Sequence, residues 1–150
     1  MTTQHHHDDH CLFCKIIQGL IPASVVLETD DAIAFLDIHP VIKGHTLLVP
    51  KPHHAHLADL PGPLAASTAA LLPKLCRAVQ NATGADAYNV IINNGRAAGQ
   101  TIDHGHWHII PRFPSDPVNW PWPHTDYVGD ELAQIQFAMK RELRANKDQD

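Results

Sequence analysis

The segment His104–Pro111, His-Gly-His-Trp-His-Ile-Ile-Pro, carries a histidine at every second position of its first half. A period of two is the repeat of a β-strand, in which successive side chains point to opposite faces of the sheet. The pattern therefore predicts one strand with an apolar face and an imidazole face, the latter made of His104, His106 and His108. Such a strand needs a sheet with a core behind it, and this requirement constrains the fold.

Shorter periodic runs predict the remaining elements. Four β-prone runs lie at Val25–Glu28, Ala32–Leu36, His45–Pro50 and Tyr88–Asn93. Apolar residues at helical spacing predict a short helix within Cys11–Ile21, a long amphipathic helix over Leu64–Ala82 and a terminal helix over Asp130–Arg144. Pro73 either kinks the long helix or begins a second one. We therefore expect an α+β domain, an antiparallel sheet of about five strands with helices packed on it.

Length and composition indicate one globular domain. A chain of 150 residues, 44% of them apolar, has the size that builds a single core. We predict a mobile His-rich tail over residues 1–10 and a single domain over 11–146. Within that domain, residues 113–124 form a proline-rich C-terminal segment.

The sequence disfavours several partners and locations. No apolar stretch approaches the roughly 18 consecutive residues of a membrane-spanning helix, and the N-terminus lacks the basic and apolar regions of a secretory signal. We therefore expect a cytoplasmic protein with no membrane partner. The formal net charge is −5 and the sequence has no dense Lys/Arg cluster, so we expect no nucleic-acid partner, whereas a small phosphorylated ligand is compatible.

The histidines and the loop before them carry the chemistry. Imidazole can act as a general base, a metal ligand or a nucleophile. In the loop Asn93–Thr101, Gly95 and Gly99 permit tight turns whose N–H groups can converge on an anion, and phosphate is the natural candidate. The loop lacks the spacing of a P-loop and the strand–helix setting of a dinucleotide-binding motif. The alternative is a solvent-exposed strand face that is rich in histidine. Three histidines in register, with an apolar face behind them, favour a functional site.

Together with this loop, the histidine strand resembles the His-x-His-x-His signature of the histidine triad family of nucleotide hydrolases and transferases. Three upstream blocks resemble segments of its small single-domain bacterial-type members: Cys11-Leu-Phe-Cys14-Lys-Ile-Ile-Gln-Gly, Ala34-Phe-Leu-Asp37-Ile and Lys43-Gly-His-Thr-Leu-Leu-Val-Pro-Lys-Pro-His53. The resemblance covers about residues 11 to 113. It departs at Gly105, where the family usually has a larger apolar residue.

The resemblance implies an enzyme whose nucleophile is the middle histidine. His106 would attack the α-phosphorus of a nucleotide phosphoramidate, anhydride or dinucleoside polyphosphate, with a purine base favoured, and form a nucleotidyl-histidine that water resolves. The attacking nitrogen must be unprotonated, so we expect the other ring nitrogen to donate to a backbone carbonyl. Asp37 matches a carboxylate that accepts hydrogen bonds from both ribose hydroxyls, and a turn residue that closes the strand is the alternative.

The same resemblance implies further contacts to the phosphate. His108 would hold a non-bridging phosphate oxygen. Gln100, Thr101 and the amides after Gly99 would stabilise the charge that develops in the transition state. Asn93 matches a position that contacts the phosphate.

Cys11 and Cys14 form a C-x-x-C pair, which indicates metal binding, redox chemistry or coincidence. Redox chemistry is disfavoured because the pair follows a polar tail instead of a strand. Family members with this pair bind structural zinc through two matching histidines, so the resemblance implies a zinc site that adds His53 and His104. Zinc would tie the N-terminal helix to the sheet, and His104 would be a ligand instead of a catalyst.

We predict no functional role for the other histidines or for the third cysteine. His54 and His56 are rival ligands on the loop of His53, but only His53 fits the family block. Cys76 is predicted to be a buried small hydrophobe. Four tail histidines would bind metal only adventitiously: His5, His6, His7 and His10.

The sequence is compatible with two other functions, and it also predicts an oligomeric state. The site could serve a nucleotide-binding sensor or scaffold module with incidental turnover, or the chain could be a zinc-stabilised interaction domain. Tyr88–Asn93 is apolar enough to be an edge strand that associates, and the resemblance implies a twofold homodimer. Residues 113–124, with Trp120 and Trp122, would then reach the neighbouring subunit's site.

Overall fold

The computed structural model describes residues 6–118 and 124–145. Residues 6–117 are organised around a five-stranded antiparallel sheet. The strands are β1 Val25–Glu28, β2 Ala32–Leu36, β3 Thr46–Pro50, β4 Ala87–Ile92 and β5 Trp107–Arg112, and the helices before β4 are α1 Leu12–Ile17, α2 Gly62–Ala69 and α3 Leu72–Thr83. A second unit begins at Val118 and contains α4, Glu131–Ala145. The chain thus divides between Pro117 and Val118.

The strand order is β1-β2-β3-β5-β4, and every neighbouring pair is antiparallel. The predicted α+β class and strand number are confirmed. β4 lies at one edge, as predicted for Tyr88–Asn93, and β1 lies at the other. The histidine strand itself sits beside β3, inside the sheet.

One strand boundary differs from the prediction. β5 begins at Trp107, so His104 and His106 lie in the extended segment before it. The physical reason is that this segment bonds to loops instead of to the ladder. The N–H of His104 donates to Ile102 O at 2.8 Å, and the N–H of Gly105 donates to His54 O at 2.7 Å.

A buried core lies on each face of the sheet. Ala32, Leu48 and Trp107 belong to the core under α3, whereas the alternate strand residues Ile33 and Leu47 belong to the core under α1. This alternation is the period of two that the sequence carries. Cys76 is buried in the α3 core, as predicted.

The predicted long helix is two helices. α2 ends at Ala69, and α3 begins at Leu72 with Pro73 in its first turn. A proline is tolerated there because the first N–H groups of a helix have no partner within it. Gly84 ends α3 in the left-handed conformation, with φ of 71°.

Two predicted features of the C-terminal part have different outcomes. The terminal helix is confirmed as α4. Residues 119–123 of the proline-rich segment, which include Trp120 and Trp122, lie outside the described residues. Among the described helices, none combines the length and apolar character that crossing a membrane requires.

The turn before β3 is fixed by a close backbone approach at Gly44. Its φ is +99°, and a methyl group added to it would overlap the Cγ2 methyl of Thr83. Gly84 also has a positive φ, +71°, but an added methyl group there would meet no atom within 4 Å. An alanine at Gly44 would therefore cause both backbone strain and steric overlap, whereas an alanine at Gly84 would cause backbone strain alone.

We predict that Gly44→Ala lowers the free energy of unfolding by about 2–4 kcal/mol, the sum of left-handed strain and overpacking. Gly84→Ala carries only the strain and should cost about 1–2 kcal/mol. Thr83→Ser removes the overlapping methyl group, so Gly44→Ala should cost less in that background. Chemical denaturation of the parent, the three single variants and the double variant measures these costs. Equal costs for Gly44→Ala in both backgrounds would contradict the packing of Gly44 against Thr83.

Candidate active site and metal cluster

A cavity of about 430 Å³ opens on the α1 side of the sheet. Its polar lining consists of Asp37, His39, Thr101, His106 and His108. The apolar lining comes from α1, from residues 21–23 and from β2 and β3, and it includes Leu12, Phe13, Ile16, Ile21, Pro22, Ala23, Phe35 and Leu47. The cavity therefore has the mixed lining of a site that takes a partly apolar, partly charged ligand.

One ring nitrogen of His106 is fixed by the backbone. Nδ1 lies 2.6 Å from the carbonyl oxygen of His104. Because a carbonyl only accepts, Nδ1 must carry the hydrogen, and in the neutral ring Nε2 then carries the lone pair. The expected donation to a backbone carbonyl is confirmed. The ring of Phe13 packs edge-on against His106, with centroids 5.0 Å apart.

His45 fixes the position of the ring hydrogen on a second cavity histidine, His108. The N–H of Val41 donates to His45 Nδ1 at 3.2 Å, so Nδ1 is an acceptor and the neutral ring carries its hydrogen on Nε2. His45 Nε2 lies 2.9 Å from His108 Nδ1 and therefore donates to it. The neutral His108 ring then carries its hydrogen on Nε2, where it can donate to a ligand.

Burial keeps these imidazoles neutral. It lowers the pKa of His106 and of His45, and it lowers the pKa of His108 to about 4. In each ring the removal of water disfavours the charged form. At neutral pH the site thus presents one unprotonated nitrogen on His106 and one N–H on His108.

Asp37 is the acidic residue of the cavity lining. Its Oδ1 accepts from the N–H of His39 at 2.8 Å, and its Oδ2 lies 3.6 Å from His45 Nδ1, which is too long for a hydrogen bond. Asp37 therefore closes the strand, as the alternative prediction has it, and also lines the cavity.

The loop before the histidines is held by Gln100. This residue is buried, its Oε1 accepts from Gly95 N–H at 2.7 Å, and its Nε2 donates to Ala55 O at 2.8 Å and to Ile102 O at 2.9 Å. Both side-chain hydrogens are thus used inside the protein. In this structure Gln100 positions the loop, and its direct contact with a reacting phosphate stays a prediction.

A cysteine and histidine cluster lies next to the cavity. The nearest atoms of Cys11, Cys14, His53 and His104 all lie within 4.8 Å of one another. Cys11 Sγ is 3.4 Å from His104 Nδ1, Cys14 Sγ is 3.7 Å from the same nitrogen, and Cys14 Sγ is 3.3 Å from His53 Nδ1. The four predicted ligands therefore converge from three separate parts of the chain.

These donors fit zinc. Tetrahedral Zn²⁺ with its usual Zn–S and Zn–N bond lengths places sulfur and nitrogen ligands about 3.6 Å apart. His104 Nε2 lies 2.8 Å from Pro50 O and so carries the hydrogen, which leaves Nδ1 available to a metal. Burial lowers the pKa of His104 to about 4 and raises the pKa of Cys14 to about 11. A thiolate at this buried position needs a compensating cation.

A sequence model of the HIT domain matches residues 18–115 of this chain. The chain belongs to the HIT, or histidine triad, family. Two curated relatives carry activities in their names. An adenosine 5'-monophosphoramidase of Candida albicans is 37% identical over 140 residues, 89% of this chain and 91% of that protein. An adenylylsulfatase of Arabidopsis thaliana is 42% identical over 137 residues, 89% of this chain and 69% of that protein.

Solved structures agree with this assignment. A Streptococcus mutans protein of known crystal structure superposes with a TM-score of 0.87 at 40% identity, covering 95% of this chain and 93% of that one. A zinc-bound histidine triad family protein from Mycobacterium smegmatis superposes with a TM-score of 0.69 at 34% identity, covering 92% and 98%. The fold of this HIT protein is thus the fold of its solved relatives.

The structure brings most predicted site residues of this HIT protein together. Asp37, Thr101, His106 and His108 line the cavity. Gly99 and Asn93 are not among the residues that line the cavity. They lie close to each other, because a methyl group on Gly99 would be 3.8 Å from Asn93 Nδ2. Their contact with a phosphate stays a prediction.

His45 is a site residue of this HIT protein that the sequence did not reveal. It stands in the quoted block Lys43-Gly-His, but its role depends on a contact with a residue 63 positions away. Gly105, the departure from the family pattern, packs against the loop of His54. A methyl group there would lie 3.4 Å from His54 O, at the lower limit of ordinary van der Waals contact.

We predict a pH signature for His108. The unfolded ring takes up its proton near pH 6.5 and the folded ring only near pH 4, so the unfolded state binds more protons between these values and stability falls as pH falls through that window. His108→Gln should reduce the loss of unfolding free energy between pH 7 and pH 4 by on the order of 1–3 kcal/mol.

The measurement is urea denaturation across that pH range. His56→Gln is the control, because this histidine does not line the cavity. A His108→Gln variant with the pH dependence of the parent would contradict the buried, neutral assignment.

Proposed function

We propose that this HIT-type enzyme hydrolyses or transfers the nucleotidyl group of a nucleotide phosphoramidate, anhydride or dinucleoside polyphosphate by attack of His106 at the α-phosphorus. The observation that carries the proposal is the 2.6 Å hydrogen bond between His106 Nδ1 and His104 O. It leaves the Nε2 lone pair of a neutral, buried ring for nucleophilic attack.

The reaction has two steps. In the first, the Nε2 lone pair of His106 forms a bond to the α-phosphorus, and the P–N or P–O bond to the leaving group breaks. The leaving group keeps the electron pair of that bond and an amine leaving group takes up a proton from solvent. In the second, water attacks the same phosphorus and loses a proton to solvent, and the bond to His106 breaks with its electron pair returning to Nε2, which restores the neutral ring. An acceptor alcohol or phosphate in place of water gives transfer instead of hydrolysis.

Neighbouring groups support charge on the α-phosphate. The Nε2–H of His108, set by His45, is a donor for a non-bridging oxygen, and Thr101 adds a hydroxyl to the same lining. Backbone amides after Gly99 supply further donors in the proposal. Removal of water by the apolar wall strengthens each of these interactions.

The lining of the cavity favours a nucleoside 5'-phosphate unit. Asp37 offers a carboxylate for ribose hydroxyls, and Leu12, Ile16 and Ile21 offer apolar contacts for a base. The cavity volume of about 430 Å³ is compatible with a purine nucleotide. The names of the two curated relatives, a monophosphoramidase and an adenylylsulfatase, support an adenylyl unit.

We assign structural zinc to Cys11, Cys14, His53 and His104. When bound, the metal supplies charge compensation for the buried thiolates and a crosslink between the start of α1, the end of β3 and the segment before β5. It has no part in the chemical steps. The zinc-bound relative of known structure supports this assignment.

A homodimer is part of the proposal. β4 is an edge strand with Tyr88 and Val90 about 40% exposed (42% and 39%). A second copy that pairs along this edge would cover both side chains and satisfy the open edge. One patch used twice would close the assembly at two subunits.

The test is rapid-quench mass spectrometry with adenosine 5'-phosphoramidate. We predict one adenylyl adduct on the parent protein, absent from His106→Ala, whose turnover should fall by on the order of 10⁴-fold or more because the nucleophile is gone. His56→Ala, a histidine that does not line the cavity, is the matched control and should keep both the adduct and the turnover.

Three outcomes count against the proposal. An adduct that persists in His106→Ala would move the nucleophile elsewhere. Tight nucleotide binding without turnover by the parent would favour the sensor or scaffold module. Failure to bind any nucleotide would favour the zinc-stabilised interaction domain.

A further inference from the structure

Residues His6–His10, predicted as part of a mobile tail, lie against the metal cluster. The N–H of Asp8 donates to Cys14 Sγ at 3.3 Å, and the N–H of His53 donates to His6 O at 2.9 Å. The N–H of Cys11 also donates to Asp8 O at 3.0 Å. Three backbone hydrogen bonds thus join this short segment to three of the four metal ligands.

We propose that the N-terminal segment His6–His10 is part of the metal site, with the backbone N–H of Asp8 as a hydrogen-bond donor to the Cys14 thiolate and the Asp8 carboxylate as an outer partner of His53. The inference rests on the proposed zinc site and extends it to residues that the C-x-x-C motif does not include. It assigns a role to the backbone of the segment instead of to its histidine side chains.

The thiolates explain why such a donor matters. A thiolate needs hydrogen bonds or positive charge in a buried place, and an N–H donor supplies part of that stabilisation. Cys11 Sγ accepts from the N–H of Cys14 at 3.4 Å, which is the turn at the start of α1. Cys14 lies inside the turn and obtains its N–H donor from Asp8 instead. Each sulfur thereby receives one backbone donor.

His53 is held from two sides by the same segment. Its backbone N–H is bonded to His6 O, and its ring meets the His6 ring edge-on with centroids 6.3 Å apart. The Asp8 carboxylate lies 4.0 Å from His53 Nε2, the ring nitrogen opposite the one that approaches Cys14. At 4.0 Å the carboxylate acts on the His53 ring through its charge and not through a hydrogen bond. A negative charge near the distal nitrogen of a zinc-bound histidine raises the basicity of the ring.

Asp8 is itself fixed in place. Its Oδ1 accepts from the N–H of His10 at 2.8 Å. This bond holds the carboxylate in place, with its Oδ2 4.0 Å from His53 Nε2. The local turn over residues 8–10 sets both the N–H and the carboxylate towards the cluster.

The experiment is zinc competition with a chromophoric chelator on the full-length zinc protein. Asp8→Pro lacks both the N–H donor and the carboxylate, and Asp8→Ala lacks only the carboxylate. We expect Asp8→Pro to weaken zinc binding by about 10- to 100-fold, the usual effect of losing outer partners of a metal site. Asp8→Ala should weaken it by less than about 10-fold.

Two control proteins isolate the backbone effect. Asp9→Ala removes a neighbouring carboxylate that makes none of these contacts, and His10→Ala removes a tail imidazole but keeps the backbone N–H that bonds to Asp8. Both should bind zinc within about threefold of the parent. A loss of affinity in His10→Ala that matches Asp8→Pro would show that a tail imidazole, and not the backbone, binds the metal.

A second readout observes the hydrogen bond directly. In the ¹¹³Cd-substituted protein, the amide proton of Asp8 should show a scalar coupling to the metal through Cys14 Sγ. Parent affinity in Asp8→Pro together with no coupling at Asp8 would overturn the inference while leaving the zinc site intact. Failure of the parent to bind zinc, or zinc retained by a Cys11→Ser, Cys14→Ser variant, would instead overturn the zinc site and the inference with it.

Discussion

The position of His104 is the constraint on which the site depends. Its ring is buried, donates through Nε2 to Pro50 O at 2.8 Å, and turns Nδ1 towards Cys11 and Cys14. Its carbonyl, at the other end of the residue, accepts the Nδ1 hydrogen of His106 at 2.6 Å. One residue therefore connects the metal cluster to the nucleophile, and a displacement of its ring would move the carbonyl that sets the His106 tautomer.

The site works by fixing protons on neutral rings. Four hydrogen bonds, His104 to Pro50, His106 to His104, Val41 to His45 and His45 to His108, assign the hydrogen to one nitrogen of each ring. Burial lowers every pKa in this set, so the assignments hold at neutral pH. A charged imidazole would have neither a lone pair for attack nor a single defined donor. The apolar wall around Phe13 thus serves the chemistry as well as the packing.

Much of the fold follows from local patterns in the sequence. The strands β1 and β2 match the predicted runs because two short apolar stretches flank a polar turn, and β4 matches to within one residue. The division of the long helix is also local, since Pro73 fits a first turn and not a helix interior. The start of β5 was predicted too early because the bond from Gly105 N–H to His54 O depends on a loop about 50 residues away.

The candidate site could likewise be predicted only in part from the sequence. The three histidines and the C-x-x-C pair are visible as motifs, and the resemblance pairs them with His53 and Asp37. The role of His45 could not be predicted because only the folded chain brings it to His108. The contacts of Asp8 with the cluster could not be predicted because a backbone N–H donor has no sequence motif. The resemblance assigns Gln100 a phosphate contact, which stays a prediction, and the structure adds three hydrogen bonds through which Gln100 holds the loop. Side-chain roles that depend on a partner far along the chain need the structure.

The central claim is that His106 is a neutral ring with its hydrogen on Nδ1. Long-range ¹H–¹⁵N correlation spectra of the zinc-loaded protein at pH 7 measure this directly, because protonated and unprotonated ring nitrogens differ widely in chemical shift. The account predicts a protonated Nδ1 and an unprotonated Nε2 for His106. A His106 ring with its hydrogen on Nε2, or with both nitrogens protonated, would contradict it.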